Sequence, residues 1–103
     1  MDKRVLAVIA FRGFRDEEYA VPKGLLEAAG FRVVTVSTER GTATGKLGMT
    51  AAVDMLYTEA VAEDYAAVVF VGGPGSPGYW DDPAAHALAR RMAAAGKVVA
   101  AIC

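Results

Sequence analysis

The chain has 103 residues, 54% of them hydrophobic, with 11 Lys and Arg against 12 Asp and Glu and a formal net charge of −1. That length provides for one small domain, residues 1–103, with an adequate core, and the balanced charge, scattered without runs, argues against nucleic acid or an anionic membrane as a partner. A single cysteine excludes an internal disulfide and fits a reducing, cytoplasmic setting, and no apolar stretch is long enough to span a bilayer.

In chain order, Arg4–Ala10 is a short Val-, Leu- and Ile-containing run, the pattern of a strand buried on both faces. It passes straight into Phe11-Arg12-Gly13-Phe14-Arg15 without a small-residue cleavage site, so it reads as a first strand and not as a signal peptide. Asp16 is placed to cap a helix running to about Ala29, with Glu17 and Glu18 favourable to its dipole and Gly30 as the residue that closes it. Phe31–Ser37 predicts a second strand. The glycines at 41, 45 and 48 and the short alternating pieces between Glu39 and Asp54 predict a hairpin or excursion, and Tyr57–Glu63 a short helix. Tyr65–Val71 is a further buried strand that ends in the glycine- and proline-rich run Gly72–Gly78. A helix then starts at Asp82 as N-cap with Pro83 as its first residue, carries an apolar stripe at 85, 88, 89, 92 and 93, and ends at Gly96. Lys97–Ile102 is the last strand. This alternation implies an α/β fold of parallel strands with right-handed crossovers, with no helix after the last strand to cover one face.

Chemistry-bearing residues gather at the predicted C-terminal strand ends, where open α/β sheets bind ligands. Cys103, the sole cysteine, follows the last strand directly. A thiol there is either a small hydrophobe or a nucleophile. Glu18, Pro22, Leu25 and Ala29 fall at i, i+4, i+7 and i+11, which predicts a core-facing stripe with Glu18 near the top of the first strand. There a protonated carboxyl can donate a hydrogen bond to a thiolate; the alternative is a solvated acid favoured by the dipole. Pro22 cannot donate to the carbonyl of residue 18, so the first turn distorts or the helix begins nearer Val21. Gly72 and Gly73 keep their amides and lack side chains, so the run after Val71 is either an oxyanion site or an ordinary loop. It lacks dinucleotide spacing, and Gly41–Lys46 has one residue too few and no Ser or Thr for a P-loop. His86 lies off the helical stripe, which favours a surface role, and Trp80, Asp81 and Asp82 either shape a pocket mouth or cap the helix. No His, Cys and carboxylate cluster suggests a metal, and no cofactor is expected.

Taken in order and spacing, several segments resemble the DJ-1/PfpI superfamily, its PfpI-like branch in particular. They are Lys-Arg-Val-Leu-Ala-Val-Ile-Ala at 3–10, Glu18 four residues before Pro22, Glu-Arg-Gly-Thr-Ala-Thr-Gly-Lys-Leu-Gly at 39–48, Val-Gly-Gly-Pro at 71–74 and Gly-Lys-Val-Val-Ala-Ala-Ile-Cys at 96–103. The resemblance implies a flavodoxin-like, class I glutamine amidotransferase-like sandwich, of which these residues are the N-terminal part. It further implies that Cys103 is the elbow nucleophile, Glu18 the acid that hydrogen-bonds its sulfur, and Gly73, with Gly72 beside it, part of an oxyanion hole. It places a histidine directly after the cysteine, beyond the last residue of this sequence, and in some members an acid shortly after the glycine pair, where this chain has Gly-Ser-Pro-Gly-Tyr.

The activities implied are those of glyoxalase III, deglycase, or peptidase and amidase type on small carbonyl compounds, amides or peptides. The competing class is a redox sensor or chaperone with an oxidisable Cys103. A third reading is a binding module that uses the Gly72–Gly78 loop for an anion. Homodimers or hexamers are expected, and a companion C-terminal fragment is a further candidate partner. A free chain ending at Cys103 is expected to be inactive, because the terminal carboxylate beside the sulfur disfavours the thiolate and no following helix favours it.

Overall fold

A computed structural model describes residues 3–73 and 82–101. The run Arg4–Val8 forms strand β1, whose side chains from Val5 to Val8 are buried on both faces. The chain continues through β2 (Arg12–Phe14), α1 (Asp16–Ala28), β3 (Arg32–Ser37), β4 (Gly41–Gly45), β5 (Thr50–Val53) and β6 (Met55–Leu56). Two single 3-10 turns follow, Tyr57–Glu59 and Ala62–Asp64, then β7 (Ala67–Phe70), α2 (Pro83–Ala94) and β8 (Val98–Ala101).

The main sheet has the order β6-β3-β1-β7-β8, and each of its pairings is parallel. Register aligns Val8 with Val36 and with Phe70, and Phe70 with Ala101, so the C-terminal ends of the central strands are level. A second sheet, β2-β4-β5, contains the antiparallel hairpin of β4 and β5. The predicted α/β fold and the hairpin between Glu39 and Asp54 are both present.

Several expectations are corrected. Asp16 is not the N-cap of α1: Arg15 holds that position without a side-chain cap, and Asp16 is the first helical residue. Pro22 sits inside a continuous helix from Asp16. The core-facing stripe of α1 is turned by about one residue from the predicted one. Leu25 is 69% exposed, whereas Tyr19 is buried and Leu26 packs on the core. The cause is Tyr19: its ring meets Phe14 edge-on at 5.4 Å, and its hydroxyl shares a 2.6 Å hydrogen bond with Thr35 Oγ1 in the core. Together these contacts set the helix rotation.

The predicted helix over Tyr57–Glu63 is broken, because Ala60 is extended (ψ 134°) and the chain alternates buried Tyr57, Ala60 and Ala62 against the core. β2 and β6, three and two residues long, carry too little pattern to be foreseen. The second helix keeps its predicted boundaries. Asp82 accepts from Ala84 N at 2.9 Å, Pro83 is first, and Gly96 closes it at φ +75°. Of its predicted stripe, Ala85, Leu88 and Met92 are buried while Ala93 is exposed. Among the described residues no helix is long and apolar enough to cross a membrane.

Candidate active site

The first turn of α1 is held from two directions. Asp16 turns its carboxylate away from its own helix and accepts Leu47 N at 3.0 Å and Met49 N at 2.9 Å, tying the helix start to the turn between β4 and β5. Burial pushes its carboxyl up, but the amides of Leu47 and Met49 and its own amide outweigh that and hold it below the ordinary carboxylate range. Gly45 leaves the space this needs, since a Cβ there would lie 2.2 Å from Asp16 Oδ1. Arg15 N donates to Gly72 O at 2.9 Å, joining the start of α1 to the segment after β7.

Gly73 completes that junction. Its φ is +128°, and a Cβ would lie 2.6 Å from both Arg15 N and Gly13 O. An L side chain is excluded twice, by backbone conformation and by main-chain atoms that cannot swing aside. The Gly72-Gly73 pair is therefore a close-packing element against residues 13–15, whatever else its amides do.

Glu18 stands in this turn with its side chain 14% exposed. Its Oε2 accepts Arg15 Nη1 at 3.4 Å. Its Oε1 is buried and has no hydrogen-bond partner among the described residues. The side chain lines a cavity of about 10 Å3 under α1, walled by Val5, Ala7, Pro22, Val69 and Val71 among others. Glu18 and the glycine pair are thus brought together through Arg15 at the level C-terminal edge of β1 and β7. Cys103 comes two residues after β8, which ends level with β7, but it lies outside the described residues, as do Trp80, Asp81 and the rest of the run 74–81.

Three features escaped sequence reasoning. Arg15 bridges acid and glycine pair, but an arginine beside two glutamates reads as surface charge. Asp16 follows capping chemistry in type but serves amides more than thirty residues away. The third is a cleft of about 340 Å3 between α1 and the hairpin, lined by Tyr19, Lys23, Thr35, Met49, Ala51 and Asp54 among others. On its floor Thr35 N donates to Asp54 Oδ2 at 2.8 Å. On its wall Lys23 Nζ binds both carboxylate oxygens of Glu27, at 3.0 and 3.1 Å, which raises the Lys23 ammonium above its ordinary value. His86 is exposed on α2, away from this constellation. Among the described residues no three His, Cys, Asp or Glu side chains group to hold a metal ion.

Comparison with known proteins shows the family of the chain. The family model described as DJ-1/PfpI family matches residues 3–103. An uncharacterised protein of Methanocaldococcus jannaschii is 40% identical over 101 residues, 97% of this chain and 49% of its own length. A deglycase of Pyrococcus horikoshii is 37% identical over 90 residues, 87% of this chain and 54% of its own. The crystal structure of a ThiJ/PfpI domain protein from Brachyspira murdochii superposes with a TM-score of 0.95 at 40% identity, covering 97% of this chain and 58% of that one. The chain spans about half the length of the curated relatives it matches. It belongs to the DJ-1/PfpI family.

Proposed function

We propose that the chain carries the acid, glycine pair and nucleophile of a DJ-1/PfpI-type enzyme acting on small carbonyl compounds, with deglycase-like activity. One observation carries the reading: Glu18 presents a buried, unpartnered Oε1 from a helix turn bonded to the Gly72-Gly73 segment. A buried polar oxygen left without a partner is costly, and in a cleft it marks a functional group. The relatives named as deglycases in Pyrococcus support the substrate class.

In this reading the Cys103 thiolate attacks the aldehyde carbon of a 1,2-dicarbonyl, forming a C–S bond as the carbonyl π pair moves to oxygen. Gly73 N–H donates to that oxygen, and Glu18 is the acid that hydrogen-bonds the sulfur before attack. The hydrogen on the attacked carbon then moves to the neighbouring carbonyl carbon, giving a thioester, and water cleaves its C–S bond to release the α-hydroxy acid and regenerate the thiolate; the sum is the 1,2-dicarbonyl plus one water, so no external oxidant or reductant is needed. The experiment is methylglyoxal turnover to lactate by the intact protein. Cys103→Ala should abolish it, and an unchanged rate would end the proposal. If mild peroxide converts Cys103 stoichiometrically to the sulfinate in a protein without turnover, the redox-sensor reading stands instead.

A further inference from the structure

Arg15 touches both halves of the site by different atoms. Its main-chain N–H holds Gly72 O at 2.9 Å. Its guanidinium divides between Glu17 Oε1, at 3.1 Å from Nε, and Glu18 Oε2, at 3.4 Å from Nη1. One oxygen of Glu18 is therefore tethered toward the helix start while the other remains buried and unpartnered.

Among the described residues the surroundings offer that second oxygen nothing else. The facing strands contribute Val5, Ala7, Val33, Val69 and Val71 to the cavity, none of which titrates or donates from its side chain. Tyr19 is engaged with Thr35, and Lys23 with Glu27. A cavity of about 10 Å3 has room for one water at most, and its apolar walls give a water too few of the two to four partners it needs.

We propose that Arg15 is a positioning residue: by holding Glu18 Oε2 with its side chain and Gly72 with its main chain, it reserves Glu18 Oε1 for the reacting thiol. This rests on the reading of Glu18 as the acid partner of Cys103. Without the guanidinium the Glu18 side chain is free to turn away, and the sulfur loses the hydrogen bond that favours its thiolate.

Cys103 reports through its rate of alkylation by iodoacetamide in the intact protein, followed by mass spectrometry of the peptide that carries it. Arg15→Gln should slow alkylation at neutral pH by about threefold, the scale of a partly exposed ion pair. Arg15→Met, which keeps the aliphatic stem, should do the same, and Arg15→Lys should retain most of the rate. In a Glu18→Gln background, Arg15→Gln should add nothing. If Glu18→Gln alone leaves the rate unchanged, the reading of Glu18 fails and the role of Arg15 with it. If Glu18→Gln changes the rate but Arg15→Gln and Arg15→Met do not, or act equally in both backgrounds, only the positioning role is overturned.

Discussion

Gly73 shows how one residue can serve packing and chemistry at once. Its α-carbon sits where a methyl group would strike Arg15 N and Gly13 O at 2.6 Å, in a backbone region that L residues avoid. Gly73→Ala should therefore destabilise the protein by about 2–4 kcal/mol, combining left-handed strain with a clash against main chain. Urea unfolding checks this, and a loss below about 1 kcal/mol, ordinary for a surface substitution, would contradict the packing role. The sequence reveals the pair's candidacy, because two glycines after an apolar run carry no side chains beside their amides. It does not reveal the partner. Arg15 comes within reach only after β2 and the start of α1 have folded back beside β7. Glu18 was legible in the same partial way. Its helical spacing from Pro22 suggested an inward side chain, whereas the true stripe is set by Tyr19, whose contacts with Phe14 and Thr35 no periodicity records.

Elements are joined here by single carboxylates. Asp16 straps α1 to the β4–β5 turn through two amides, and those amides keep its carboxyl below the ordinary range against the opposing effect of burial. A depressed folded-state value stabilises above the unfolded carboxyl's range, near 4, and that contribution is lost as pH falls through the folded value. Asp16→Asn should thus lower the urea midpoint at pH 7, and the gap from wild type should close in acid. A gap that persists at pH 2 would show that the strap does not act through charge. Asp82 plays the matching part at α2, accepting both Ala84 N and the Tyr57 hydroxyl, and is held below its ordinary value chiefly by Tyr57. Burial and that same carboxylate push the phenol well above its usual value. The cap was plain in Asp-Asp-Pro, but Tyr57 was not, since it lies 25 residues earlier. Below the cap, Leu88 is fully buried, so Leu88→Ala should cost about 2–5 kcal/mol. A thermal midpoint close to wild type would place α2 off the core.

At the scale of the whole molecule the main sheet is buried at its centre and exposed at β8. β1 is flanked by β3 and β7 and buried from Val5 to Val8, whereas β8 pairs only with β7 among the described residues. Successive strand residues point to opposite faces. Val98 and Val99 are 63% and 41% exposed, so among the described residues β8 presents exposed side chains on both faces. The pattern of Lys97–Ile102 announced a strand because apolar runs do so wherever they fall; that pattern does not record whether the strand's faces are covered. Matched relatives are about twice as long, and the Brachyspira murdochii structure superposes over 58% of its length. An unpaired apolar edge is a template for another strand. A protein consisting of residues 1–103 should therefore self-associate with rising concentration, and Val99→Lys, which places a charge on one bare face, should suppress this while the parallel sheet persists. Light scattering with size-exclusion chromatography measures the first, and circular dichroism the second. A monomer of residues 1–103 unchanged from micromolar to near-millimolar concentration would show that the β8 edge is protected by its own twist and needs no covering chain.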